Sequence, residues 1–560
     1  MNEPNIFLDC CNLLADVEYQ CDREGPNACD TCRKLFDIQD KIAETRLLLA
    51  GLKRESQKLS EQANHHHDRL IHRLPPEITS NIFEFCIPDN IMDLKFGDPD
   101  KPVPEYTVSA PLVLSAVCRK WRAIAHSTPQ IWRAIPLICP PNSYSDNEPL
   151  FKDTLVEEWI GRSGRLPLSI NFYSSTSEKV FWTEDGPDST IQAVVKTIEV
   201  LNSVSHRWLN LRYSGSNSLL SYFSSDEQDL PQLRTLDVSL DNDDPNHGPG
   251  SIGLNFKATN LKSLSTSGAQ RVSTSYLDWN RLTELTMDFS PLSDCFQALQ
   301  LAPSLAMCVF RCCTASASVS FFDDTPPPEN PITHPKIQHL QIAGYDSSLY
   351  RNVFDRLSCP SLKSVILGDT DFGSHQTLDS RPVVEFLKRS GCSLETLIFI
   401  DTCISDPNIA ALFEATPTLQ SLSIRYSYYF NFPPETFLDC LAESSLVNGR
   451  REPRYLPCLS SLTLEGDNFH DCTPLLNIFG PHTPQSTECH RHALKSITVS
   501  LSDRDHLASI YMDEKILETI LYLRVSCGVK WAIKGVYNTD RPVNILHAAV
   551  TDLYSEADSP

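Results

Sequence analysis

Basic residues are in the minority in this sequence: 48 Lys and Arg stand against 71 Asp and Glu over 560 residues, a formal net charge of -23. Such a chain repels polyanions, and short clusters such as Arg450, Arg451 and Arg454 do not offset that charge. Neither nucleic acid nor an anionic membrane is an expected partner. Long apolar runs are missing as well. Runs such as Leu397–Ile400 fall far short of the roughly 20 residues that a membrane-spanning helix needs. The first residues carry no basic stretch leading into an apolar run and a small-residue cleavage site, so no secretory leader is expected. Twenty cysteines are few for so long a chain, and many fall in apolar stretches, as Cys308, Cys312 and Cys313 do. Buried free thiols in a reducing compartment fit that pattern better than a disulfide framework, and the expected location is cytoplasmic or nuclear. No nucleophile elbow, phosphate-binding loop with its lysine or His-Glu-x-x-His pair occurs. The sequence therefore offers no positive sign of an enzyme.

Two weaker patterns fail on context. Gly248, Gly250 and Gly253 match the spacing of a dinucleotide loop, but Asp241–Asn246 separate them from the preceding strand and Leu254-Asn255-Phe256 follows where a helix is needed. Cys21, Cys29 and Cys32 would be the ligands of any zinc ion. Only one of the two expected Cys-x-x-Cys pairs exists, and a helical stretch separates it from His65-His66-His67, so neither a metal nor a cofactor is expected.

What the sequence does have is periodicity. Residues 1–34 are polar and cysteine-containing. Then Leu35, Ile38, Ile42, Thr45, Leu49, Leu52, Ser56, Leu59 and Ala63 step by three and four in alternation, the seam of a heptad repeat over a helix spanning 35–68. Two readings stay open: a helix folded back on the next module, or weak self-association through 35–63, with Thr45 and Ser56 weakening the seam.

A helical module is expected over 70–135. Leu74-Pro75-Pro76-Glu77-Ile78 starts a helix, with proline in the first turn and an acid near the positive end of the dipole. Ile78, Ile82 and Phe85 share one face, and Phe83, Cys86 and Ile87 widen the apolar area, so this helix wants partners on two sides. Pro88–Ala110 reads as a loop. Pro111 then opens a second helix with Leu114, Val117, Trp121 and Ile124, and Ser127-Thr128-Pro129 caps and starts a third with Ile131 and Trp132.

After residue 230 a unit Leu-x-x-Leu-x-Leu recurs, often with proline two residues before it. Clear copies begin at Leu233, Leu282, Ile337, Leu362, Leu394, Leu419, Leu459 and Leu494, and weaker ones at Leu261 and Leu305, in steps of 21 to 40 residues. The period is loose but centred on leucine-rich-repeat lengths. Stacked strand–loop–helix units would share a continuous leucine core over 231–540, with 140–230 as linker and cap and 541–560 as a tail. The fold class is α/β: a heptad helix, a three-helix module, and an irregular solenoid with parallel strands on one face and helices on the other. Trp159, Trp182 and Trp208 read as core of the capping region, which leaves an unrecognised enzyme site in 140–230 as the least favoured reading. Outward positions such as Arg234, Thr235, Glu284, His339, Gln341, Lys363 and Glu395, with the aromatic Tyr426, make a polar face of mixed charge suited to a protein target.

Leu74-Pro75-Pro76-Glu77-Ile78 with Ile82-Phe83, and Val117-Cys118-Arg119-Lys120-Trp121-Arg122-x-Ile124-Ala125, resemble the F-box. The Ser127-Thr128-Pro129-x-Ile131-Trp132 extension is similar to that of many F-box proteins of mushroom-forming fungi. The resemblance implies docking on the Skp-type adaptor of a cullin–RING ubiquitin ligase through Leu74, Pro75, Ile78, Ile82, Val117, Cys118 and Trp121, with the repeats binding a protein target for ubiquitination. A leucine-rich-repeat scaffold without a ligase role is the alternative. Pro88–Ala110 is longer than the usual connection inside an F-box.

Overall fold

The computed structural model of the chain describes residues 30–67, 74–87, 105–139, 153–174, 182–183, 186–187, 189–240, 255–268, 277–313, 331–344, 347–368, 376–377, 379–403, 409–426, 435–447, 450–466, 473–480, 493–501, 514–535 and 543–544. Cys21 and Cys29 of the zinc reading, the loop glycines 248, 250 and 253, residues 88–104 and the tail beyond 544 lie outside them, and of Cys32 only the backbone, in the first turn of a helix, is described. The described chain is a mixed α/β structure of two compact units.

The smaller unit holds α1 (Asp30–His67), α2 (Pro76–Phe85), the C-terminal part of α3 (Glu105–Val117), and α4 (Arg119–His126). α3 starts earlier than its sequence suggests, and Pro111 lies inside the helix, not at its head. The polar stretch Glu105–Ala110 hides the start from a hydrophobicity reading. Cys118 breaks the backbone between α3 and α4 and caps the latter: its Sγ accepts from the Trp121 N–H at 3.4 Å, and its carbonyl accepts from the Arg122 N–H at 2.9 Å. The Arg122 Nε donates back to the Ser115 carbonyl at 2.9 Å, satisfying an end of α3.

The larger unit is built on one open sheet of fourteen parallel strands, with a fifteenth antiparallel at its end. The strands are β1 (Ala134–Cys139), β2 (Leu168–Ser174), β3 (Trp208–Gly215), β4 (Thr235–Leu240), β5 (Ser263–Ser267), β6 (Glu284–Asp288) and β7 (Met307–Arg311). They continue through β8 (His339–Ala343), β9 (Ser364–Leu367), β10 (Thr396–Ile400), β11 (Ser421–Arg425), β12 (Ser461–Glu465), β13 (Ser496–Leu501), β14 (Lys530–Gly535) and β15 (Val543–Asn544). Spatial order follows sequence order throughout.

The recurring unit has a physical explanation at each position. The first leucine closes a tight turn: the N–H groups of Leu233, Leu305, Leu362, Leu419 and Leu459 each donate to the carbonyl three residues earlier at 3.2 Å. Pro231, Pro303, Pro360, Pro417 and Pro457 occupy the second turn position, where a fixed φ is wanted and no donor is lost. The next residue starts the ladder. From Lys262 to Lys530, ten successive N–H groups at this position donate to the equivalent carbonyl of the preceding unit at 2.8–2.9 Å. The other two leucine positions point inward in register, as in Leu236–Leu264–Leu285–Cys308–Leu340–Val365–Leu397–Leu422–Leu462–Ile497, every member fully buried. Burial of each such side chain stabilises the fold by roughly 2 kcal/mol. Helices Ser347–Phe354, Ser380–Ser390, Ile409–Glu414, Glu435–Ala442, Thr473–Asn477 and Glu514–Ser526 pack each on the next, with aromatic contacts such as Phe354–Phe386 at 4.8 Å.

The sheet begins about a hundred residues before the leucine pattern does. β1 lies just before the 140–230 region expected to hold the linker and cap, and β2 and β3 lie within it; their leucine positions carry aromatic residues, as in Trp132-x-x-Ile135-x-Leu137 and Trp208-x-x-Leu211-x-Tyr213. Trp132 packs edge-on to Trp159 at 5.0 Å under the Arg162 guanidinium. Trp132 thus belongs to the larger unit, on a single 3-10 turn, Pro129–Trp132, in which Thr128 makes no side-chain cap bond. At the far end, β15 extends the sheet past residue 540.

His334 sits buried beside this core, its Nε2 3.0 Å from the Ala302 carbonyl. Burial lowers its pKa below the ordinary 6.5, with Lys336 acting in the same direction and the Ala302 hydrogen bond opposing them. A folded-state pKa below the unfolded one means that protonation favours unfolding. Stability is full above about pH 6.5 and falls as pH drops through the lowered value. Thermal unfolding between pH 7.5 and 5 should show this loss, and His334→Gln, which keeps a donor but does not titrate, should remove part of the slope.

Candidate protein-interaction surfaces

The α2 helix is amphipathic with its sides reversed. Thr79 and Phe83 face inward, whereas Ile78, Ile82 and Phe85 are 46%, 38% and 91% exposed. The inward face is held by Phe83 against the Trp121 ring of α4, centroids 5.0 Å apart, and by Thr79, whose Oγ1 donates to the Pro75 carbonyl at 3.3 Å. Pro75 precedes the helix in extended conformation, and its carbonyl also accepts the Ile78 and Thr79 N–H groups. On α3, Leu114 is buried while Val113 and Val117 are half exposed. A surface helix normally keeps its apolar stripe inside. Here two helices leave five large apolar side chains exposed, more than scattered surface apolar residues usually amount to.

The sequence-derived residues fall on this frame as follows. Ile78, Ile82 and Val117 belong to the exposed set, Pro75 is exposed, and Leu74 is half-buried. Trp121 is half-buried. Cys118 serves as the α4 cap. Phe85 and Val113 were not singled out as contact residues. The signal was present for Phe85, since it lies three positions after Ile82 on the same helical face.

A second surface is the open side of the sheet. Its middle row runs in register Arg212–Asp237–Ser265–Thr286–Val309–Gln341–Ile366–Ile398–Ser423–Thr463–Thr498. Charges here pair with one another: Arg212 with Asp237 at 2.6 Å, Arg311 with Asp288 at 3.1 Å, and Arg425 with Glu465 at 3.5 Å. Between the last two pairs lies an apolar centre of Ile366, Ile398 and Ile400, all half-buried, and across Gln341 from it stand half-buried Val309 and Met307 at 40% exposure. The face is thus hydroxyl-rich at both ends and apolar in the middle, not evenly polar with mixed charge. Tyr426 is buried and takes no part in it.

Trp159 and Trp208 are core residues. Among the described residues no cluster of three His, Cys, Asp or Glu side chains is placed to hold a metal, and no helix is long and apolar enough to cross a membrane. Cys308, Cys312 and Cys313 are free and buried, as expected from their apolar surroundings. No protein-family model matches the chain, and no curated protein is similar enough to count as a match.

Proposed function

We propose that the chain is a substrate-recognition adaptor of a cullin–RING ubiquitin ligase, with an F-box that docks on the Skp-type adaptor and a leucine-rich-repeat array that holds a protein target. The observation that carries this reading is the outward apolar face of α2 and α3: Ile78, Ile82, Phe85, Val113 and Val117. Three of these, Ile78, Ile82 and Val117, are residues of the F-box resemblance, and burial of an apolar helix face against a partner is a common mode of docking. The one-strand-per-turn sheet, with its prolyl turns and leucine ladder, supports the repeat half of the reading. The protein acts by bringing two others together, without chemistry of its own, in the cytoplasm or nucleus. Co-purification with the adaptor tests the first half. Leu74→Ala with Pro75→Ala should reduce recovery of the adaptor several-fold, and recovery equal to wild type would refute this assignment.

The target surface is the open face of the sheet. Its paired charges leave little net field to attract phosphate, and its apolar centre suits the core of a protein interface ringed by polar groups. Deleting 230–540 would cut through one continuous sheet and expose a raw strand edge, so point changes are the sharper tool. Ile366→Lys with Ile398→Lys should remove a subset of co-precipitating proteins while adaptor recovery stays at the wild-type level. An unchanged set would show that targets bind elsewhere.

A further inference from the structure

α1 is 38 residues long, about 57 Å at the helical rise, and its heptad seam is open along its length. Leu35, Ile38, Ile42, Leu49, Leu52 and Leu59 are 37% to 59% exposed, with Leu47 and Leu48 more exposed still. The helix does not fold back to cover them. A strict 3.5-residue period fits another helix of the same period over several heptads. Among the described residues no other helix approaches this length; the next is the 14-residue Ser189–Asn202.

We infer that α1 pairs with α1 of a second copy of this chain, in an antiparallel coiled coil. The flanking charges set the orientation. A parallel pair would place Lys41 against Arg46, and its other flanking pairs, Lys34–Gln39, Leu48–Lys53 and Glu55–Ser60, offer no ion pair in return. An antiparallel pair with Ile42 opposite Leu52 and Leu35 opposite Leu59 brings Lys41 beside Glu55 twice by symmetry. It also sets Leu48 across from its own mate, which gives the exposed Leu48 a role. Arg46 then meets its mate once, so the register gains two favourable contacts against one unfavourable. Thr45 and Ser56 in the seam hold the affinity to about the micromolar range. Since the seam residues of α1 are distinct from the exposed apolar residues of α2 and α3, the inference stands apart from the proposed function. Its consequence is that two sheet faces are joined in one particle, which favours a target with repeated binding segments.

Sedimentation of the full-length chain from about 1 to 100 μM tests this. The expected mass rises from 62.9 kDa toward twice that value. Leu49→Asp with Leu52→Asp should abolish the rise. These side chains are exposed, so the fold does not depend on them. Glu55→Lys should weaken the dimer about tenfold by setting like charges together, and adding Lys41→Glu should restore it. A wild-type chain that stays at the monomer mass, a seam variant that still dimerises, or a charge reversal without effect would overturn the inference.

Discussion

Gly368→Ala should destabilise the larger unit by about 3 kcal/mol or more, the range of severe single substitutions. Gly368 follows β9 with φ +98°, and an added Cβ would lie on the Ile400 carbonyl oxygen and 2.6 Å from the Thr402 Oγ1. Neither neighbour can give way. The Gly368 N–H is bonded to the Ile342 carbonyl at 2.8 Å, and the single Thr402 hydroxyl proton is shared between the Ile400 carbonyl at 2.9 Å and the Leu367 carbonyl at 3.2 Å. The clash therefore falls where β9 and β10 join. Gly391→Ala is the matched control. It has φ +59° at the end of helix Ser380–Ser390, and a Cβ there meets nothing within 4 Å, so the cost should be only about 1 kcal/mol. Denaturant unfolding of both variants reads the difference, and equal midpoints would contradict the close packing at this strand exit.

Ile78→Asp with Ile82→Asp should cost adaptor binding about a hundredfold or more, on the order of 3 kcal/mol, as expected when charge enters the centre of an apolar interface. Both side chains are exposed, so circular dichroism and the unfolding midpoint should not change. Phe83→Ala is the counterpart from the inner face. It removes a fully buried ring and its contact with Trp121, and should lower the stability of the small unit by roughly 3 kcal/mol or more, with binding lost as a consequence. Loss of binding with an intact midpoint separates a contact residue from a structural one.

Much of this was legible in the sequence because the repeat is driven by local physics. A proline fixes the turn and a leucine closes it, so Leu233, Leu362 and Leu419 announced their strands. The heptad seam of α1 was equally plain. β1 and β3 were hidden because Trp132 and Trp208 do the work of leucine, and a leucine pattern is blind to that exchange. The apolar centre at Ile366 and Ile398 was hidden for another reason: an apolar residue in a strand reads as core until in-register pairing shows which side it faces. Periodicity put Ile78, Ile82 and Phe85 together on one face of α2. It could not tell which face was inner, because that depends on where the Trp121 ring lies. Tyr426 shows the converse error, an aromatic residue one position past β11 that turned inward.

Titration of the full-length chain with a purified Skp-type adaptor, followed by calorimetry, tests the central claim most directly. One adaptor per chain is expected, with a dissociation constant below about 1 μM, a negative heat-capacity change from apolar burial, and no binding by the Ile78→Asp, Ile82→Asp variant. No heat and separate elution of the two proteins at tens of micromolar would contradict it.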